Sequence, residues 1–242
     1  AGAWLPQALV ATALCALLLV MAILIIRPRI DRSWVALLAI FALALAVRLA
    51  NLSAAGQTWD EDEYWSAGRN YLVNLLALDF RAASWRWNYQ HPPLTKYLAG
   101  LGALWADGYG PARAVFVLVG AIQCALVTAI GRRLFDPGVG ILAGVAVALM
   151  PRLIGYDGVV GHEAPSVLLW TLAVYLALSV SDETQPSWQR MAIVGTVVGL
   201  AAATRFSNLL LAPLVTAIIL IRAAPGQRAR VVRLGLVATV AA

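Results

Sequence analysis

Long apolar stretches recur along this chain, at about residues 4–26, 33–49, 112–134, 138–156, 164–180 and 191–221. A helix needs about 20 mostly apolar residues to cross a hydrocarbon core. Within lipid the backbone must satisfy its own N–H and C=O groups, which leaves helices and closed barrels as the only spanning structures. Runs of this length restrict the chain to an all-α fold: a polytopic transmembrane helical bundle, read as one unit over residues 1–242. The 62% hydrophobic and 12% charged composition excludes a soluble domain. The stretch at 4–26 lacks the basic flank of a signal peptide and reads as an additional N-terminal span.

Basic residues set the orientation. "RPRIDR" after the first stretch, "GRRLF" after the span at 112–134, the loop "SDETQPSWQR" and "RAAPGQRARVVR" all fit cytoplasmic segments under the positive-inside rule. The net charge of +6 is therefore not read as a nucleic-acid signal. One straight helix over 191–221 would place the last arginine group outside, so two shorter helices meeting near 204–208 are expected, leaving Arg205 at an outer turn. Arg48, at the outer end of the second span, is expected to snorkel to the interface. Cys15 and Cys124 lie in apolar segments and read as small buried hydrophobes. The pairs Gly140/Gly144 and Gly195/Gly199 suit close helix packing.

The long polar segment at about 50–111 is the first outer loop. It holds five of the nine tryptophans, a density that suits interfacial amphipathic helices. It also holds "TWDEDEYW", with Asp60, Glu61, Asp62 and Glu63 in succession. Asp60 with Glu63 three residues on resembles a helix cap, with Tyr64, Tyr71, Leu75 and Leu78 sharing one face of the helix that follows. Capping explains one or two acids but not four, because adjacent carboxylates repel. Further on, "HPPLTKYL" starts a helix at Pro92 and Pro93. Lys96 then falls in a first turn, where the dipole disfavours a cation unless an anion is bound; a lysine reaching to lipid headgroups is the alternative. Arg205 interrupts an apolar stretch, where ionisable residues mark functional positions. Glu163 opens the span at 164–180, with His162 beside it and Asp157 six residues before. His162 alone reads as an interfacial histidine.

Taken in order, these features resemble the GT-C superfamily of membrane glycosyltransferases. The nearest branch is that of protein O-mannosyltransferases and aminoarabinose transferases, which use polyprenyl-phosphate sugars. Asp60, Glu61 and Tyr64 match a first-loop D-E-x-x-Y pattern, with Asp62 and Glu63 as a register-shifted alternative. His91, Pro92, Pro93, Leu94 and Lys96 match an H/K-P-P-L stretch with its nearby lysine. Arg113 matches an arginine opening the next span, Glu163 a second outer acid, and Arg205 a basic residue in a "GL…tK"-like segment. The resemblance also implies an N-terminal piece of a longer protein.

The resemblance implies sugar transfer, with inversion, from a polyprenyl-phosphate donor to a protein, lipid or glycan acceptor at the outer face of the membrane, and the Ala/Arg/Trp-rich composition suggests a bacterial plasma membrane. Asp60 would be the catalytic base. Glu61 would orient it, bind a cation or pair with an arginine. His91, Lys96, Arg113 and Arg205 would hold the donor phosphate. Glu163 with Asp157 forms a second acidic site, and Glu163 with the first-loop acids could hold a divalent metal. A transporter or flippase of a lipid-linked or anionic substrate is the alternative. It would place charges near midplane and show an internal inverted repeat.

Overall fold

The computed structural model describes residues 32–52, 56–183 and 187–223, with single positions 226, 228, 232 and 235 beyond. The expected span at 4–26 and Cys15 lie outside the described residues, as does most of "RAAPGQRARVVR". The described residues form helices and no strand: α1 (Arg32–Ala50), α2 (Trp59–Leu76), α3 (Leu94–Gly102), α4 (Tyr109–Leu134), α5 (Pro137–Ala148), α6 (Pro151–Asp157), α7 (Glu163–Ser181), α8 (Trp188–Ala202) and α9 (Leu211–Arg222). Short 3₁₀ turns lie at Ala82–Trp85 and Phe206–Leu210. The all-α membrane architecture expected from the apolar stretches is the one observed.

Helix α4 is the axis of the bundle. Its 26 residues extend about 39 Å at 1.5 Å per residue, and it packs against α1, α3, α5 and α7. Helix α7 extends the bundle to α8 and α9. Both α4 and α7 are long and apolar enough to cross a membrane, and α5 with α6 forms a third such element bent by 61°. Side chains such as Leu118, Ile122 and Leu142 are well exposed on these helices; an apolar surface of this kind is what lipid contact requires. The segment at 191–221 is divided as expected: α8 ends at Ala202 and α9 begins at Leu211, with Arg205 in extended conformation between them.

Four expectations are corrected. The span at 138–156 is broken, not continuous, because Pro151 lacks the N–H that would continue the ladder and starts a new helix instead. Arg48 does not snorkel: it is fully buried. Its guanidinium bonds the carboxylate of Asp157 at 2.8 Å and the carbonyl of Ala148, at the end of α5, at 3.1 Å. The arginine thus satisfies a carbonyl exposed by the break and neutralises the acid that packs on α4, where a Cβ at Gly120 would collide with Asp157. The cap of α2 is Thr58, whose hydroxyl accepts from the N–H of Glu61; it lies two residues before Asp60. Leu75 and Leu78 are exposed, and the buried face of α2 is Tyr64, Ala67, Gly68 and Tyr71, at the i, i+3, i+4, i+7 spacing of a helix.

Helices α2 and α3 cross backbone to backbone. A Cβ at Gly68 would strike the Lys96 carbonyl and the Gly100 amide, and one at Gly100 would strike the Gly68 carbonyl. This contact sets the start of α2 beside the start of α3, and so brings the acidic run toward "HPPLTK".

Candidate functional site

The four acids occupy one helical turn, and successive side chains on a helix diverge by about 100°. They therefore have different surroundings. Glu61 is fully buried. Its two oxygens accept from Arg113 Nε at 2.7 Å and Nη2 at 2.6 Å, and the first also accepts from the Val160 amide at 3.0 Å. Arg113 further donates to the carbonyls of Leu52 and Gly56, each at 3.3 Å. One carboxylate thus ties α2 to α4 and to the loop that leads into α7. Asp62 accepts from the Tyr109 hydroxyl. With Glu63, Gln57 and Thr58 it lines a cleft of about 290 Å³. Asp60 is exposed on the side of α2 that carries Tyr64.

Tyr64 is the hub of a second cluster. Its hydroxyl lies 3.3 Å from Nδ1 of His91 and 3.3 Å from Nδ1 of His162, and both imidazoles approach its ring edge-on. Nε2 of His162 in turn lies 3.2 Å from Nη1 of Arg205 and 3.3 Å from Oε1 of Glu163. The cluster joins four separate parts of the chain: the first turns of α2, the turn before α3, the start of α7 and the α8–α9 link. Burial raises the Tyr64 hydroxyl to about pKa 12, with the charges of Asp60 and Glu163 adding to the shift and Arg205 opposing it. Tyr64 is therefore protonated throughout the physiological range. Burial also holds His162 below the usual histidine value; Arg205 and His91 push the same way, while Glu163 and Asp60 oppose. At neutral pH His162 is an uncharged imidazole.

Backbone and side-chain contacts fix this arrangement. The Leu94 amide, first in α3, donates to the Ala203 carbonyl just past α8 at 2.9 Å, so two helix ends satisfy each other's orphan groups. The link carrying Arg205 is held on α7 by Asn208. Its amide lies 2.9 Å from the Ser166 hydroxyl, 2.8 Å from that of Thr204 and 2.9 Å from the Ala201 carbonyl, and its Oδ1 accepts from Trp170 at 3.0 Å. Lys96 is buried, and its ammonium folds back to the carbonyls of Asn88 at 2.6 Å and His91 at 2.8 Å, over the Tyr71 ring. Those carbonyls answer the unfavourable dipole of the first turn of α3. Desolvation holds the Lys96 pKa below its ordinary value.

Of the residues singled out from the sequence, Asp60, His91, Glu163 and Arg205 converge around Tyr64 and His162, with Lys96 one step behind His91. Glu61 and Arg113 are committed to each other. Asp62 and Glu63 border the separate cleft, and Asp157 is sealed against Arg48. Tyr64 entered the sequence reading through its spacing from Asp60 and as part of a helix face, and His162 was read as interfacial. The one signal for either was adjacency, Tyr64 four residues after Asp60 and His162 next to Glu163. Among the described residues no three His, Cys, Asp or Glu side chains are disposed to hold a metal ion. Arg205 against the ligating nitrogen of His162 would also oppose a cation. The described side chains do not fit the divalent metal weighed from the sequence.

The fold and cluster together define an integral membrane protein that gathers carboxylate, guanidinium, tyrosine and histidine side chains at one end of a helical bundle. Residues 90–242 match the dolichyl-phosphate-mannose-protein mannosyltransferase family, and the chain belongs to that family of membrane glycosyltransferases, which use a polyprenyl-phosphate sugar. The match takes in His91, Lys96, Arg113, Glu163 and Arg205 and begins after the acidic run. No curated protein and no solved structure matches the chain.

Proposed function

We propose that this chain transfers a glycosyl group from a polyprenyl-phosphate donor to an acceptor hydroxyl of a protein, lipid or glycan, with inversion, at the outer face of a bacterial plasma membrane. The observation that carries the reading is the Tyr64 cluster, which brings an exposed carboxylate, Asp60, and an exposed guanidinium, Arg205, to one rim from distant parts of the chain. The reaction needs a base for the attacking hydroxyl and positive charge where the phosphate departs. Asp60 takes the acceptor proton as its oxygen bonds the anomeric carbon. The bond from that carbon to the phosphate oxygen breaks, and the electron pair leaves with the prenyl phosphate. Arg205 and His91 receive the growing negative charge. Lys96 shapes the His91 turn through two carbonyls, and the Glu61–Arg113 pair anchors the helix that carries Asp60.

The opposite end of the bundle supports this sidedness. There Arg133 and Arg222 pair with Asp182, at 2.7 and 2.8 Å, and Arg190 pairs with Glu183 at 2.6 Å. Arginine-rich ends tend to face the cytoplasm, which favours an outer position for the Tyr64 cluster. A transport path would use charged groups lining a cavity; the Arg48–Asp157 pair is closed to solvent, which favours the enzyme over the transporter. The test is Asp60→Asn in the full protein, assayed with a polyprenyl-phosphate sugar. Loss of turnover with unchanged stability is expected. Wild-type turnover refutes the assignment.

A further inference from the structure

We propose that Tyr64 and His162 form a two-register hydrogen-bond relay that parks Arg205 before the donor phosphate binds and couples its release to His91. The inference rests on the glycosyl-transfer reading for the identity of the anion, but the relay itself is a matter of geometry.

The argument is one of donors and acceptors. A guanidinium only donates, so Arg205 Nη1 at 3.2 Å requires a lone pair on Nε2 of His162. The proton of the neutral ring then sits on Nδ1 and donates to the Tyr64 hydroxyl. Tyr64 has one proton, which it gives to Nδ1 of His91. In this register the bonds run Arg205 to His162 to Tyr64 to His91, and His91 keeps its own proton on Nε2. The second register reverses every bond. His91 donates from Nδ1 to Tyr64, Tyr64 donates to Nδ1 of His162, and Nε2–H of His162 donates to the carboxylate of Glu163, already 3.3 Å away. Both registers satisfy all three central groups. The single choice between them is whether Nε2 of His162 faces Arg205 or Glu163.

An anion settles that choice. A phosphate offers Arg205 charge-assisted bonds stronger than one to a neutral imidazole. Once Arg205 turns to it, Nε2 loses its donor: the Nδ1 proton of His162 passes to Tyr64, the Tyr64 proton passes to Nδ1 of His91, the exposed His91 releases its Nε2 proton to water, and Nε2 of His162 takes one from water, held by the carboxylate of Glu163. The groups facing His162 are Asp60 and Tyr64 from α2, His91 from the turn, Glu163 from α7 and Arg205 from the link. Of these, Arg205 and Glu163 lie against Nε2. Tyr64 and His162 are therefore positioning residues that act through Arg205 and His91. Removing the Tyr64 hydroxyl leaves each histidine in place and cuts the link between them.

This chain carries two histidines, so ¹⁵N-histidine spectra of the full protein in micelles read both directly, assigned with His91→Gln and His162→Gln. The resting protein is expected to show His162 protonated on Nδ1 and His91 on Nε2. A short-chain prenyl phosphate is expected to move the His162 proton to Nε2 and the His91 proton to Nδ1 together. Arg205→Ala is expected to show the second register with no ligand, and Arg205→Lys to restore the first. In Tyr64→Phe the His162 signal still responds to the phosphate and the His91 signal does not; its donor KM rises about tenfold while kcat changes less. A resting His162 protonated on Nε2, or no response to the phosphate, overturns the relay, and so does a His91 response that survives Tyr64→Phe. No glycosyl transfer from a polyprenyl-phosphate sugar by the full wild-type protein would instead remove the glycosyl-transfer reading and leave these spectra standing.

Discussion

Two adjacent acids, Asp60 and Glu61, should fail in opposite ways when substituted. Glu61 is fully buried, and Arg113, which it holds by two short bonds, is nearly so. Glu61→Ala leaves a buried guanidinium without its counter-charge, which costs about 3–5 kcal/mol. It also orphans the Val160 amide, a loss of about 1–3 kcal/mol that overlaps with the first. Unfolding titrations in mixed micelles should therefore show a loss of at least about 3 kcal/mol. Glu61→Gln keeps the shape and one acceptor for Val160, so it should lose less. Replacing both Glu61 and Arg113 by methionine removes the stranded charge and should recover most of the loss, leaving about the cost of the unpaired Val160 amide. Asp60→Asn, by contrast, should leave unfolding unchanged and abolish turnover. If Glu61→Ala unfolds within about 1 kcal/mol of wild type while losing turnover, the roles are reversed and Glu61 is the reacting carboxylate.

Gly68→Val should push α2 off α3, because its Cβ meets the Lys96 carbonyl and the Gly100 amide; a destabilisation of about 1–3 kcal/mol or more should accompany loss of donor binding, measurable by ligand-induced thermal shift. Asn208→Leu removes the amide that Ser166, Thr204, Trp170 and the Ala201 carbonyl share, and should cost about 2–4 kcal/mol and raise donor KM by freeing the Arg205 link. For pH, the folded His162 pKa lies below the 6.5 of the free side chain. The unfolded chain binds its proton first as pH falls, so this contribution is complete above about 6.5 and is lost between there and the folded value. The difference in melting temperature between wild type and His162→Gln should therefore narrow on acidification through that window. A constant difference from pH 7.5 to 5 would show that His162 is not held neutral by the fold.

The helices were legible because lipid imposes a length and a composition that a single chain displays openly. Even the division near 204–208 followed from where four arginines had to lie. What the sequence concealed depends on pairing across the bundle. Arg48 looked like an interfacial arginine because nothing in its own helix names Asp157, more than a hundred residues on. The cap moved from Asp60 to Thr58 for a similar reason. Either residue can cap, and the choice was settled by Glu61 turning inward to Arg113, a contact between helices. His162 is the clearest case. A lone histidine beside a helix start carries no chemical signal until the fold brings Tyr64, Arg205 and Glu163 against its two ring nitrogens.

The same reasoning explains how four acids can stand in a row. Were all four to face one way, their repulsion would need a bound cation or extensive hydration. Helical geometry separates them before any partner is considered, and the fold then gives each a different environment. Glu61 goes to a guanidinium and a backbone amide, where its charge is fully used in holding α2 against α4. Asp62 accepts a tyrosine hydroxyl and borders a solvent cleft with Glu63. Asp60 alone lies open on the side where the Tyr64 hydroxyl, the two imidazoles and Arg205 collect. A base must be deprotonated, reachable and unspent, and of the four carboxylates Glu61 is spent and Asp62 is bonded. Glu63 borders the other cleft. Under the proposed function, the run is one anchoring acid and one reacting acid on neighbouring faces of a single turn, with the remaining pair keeping that turn at the water surface.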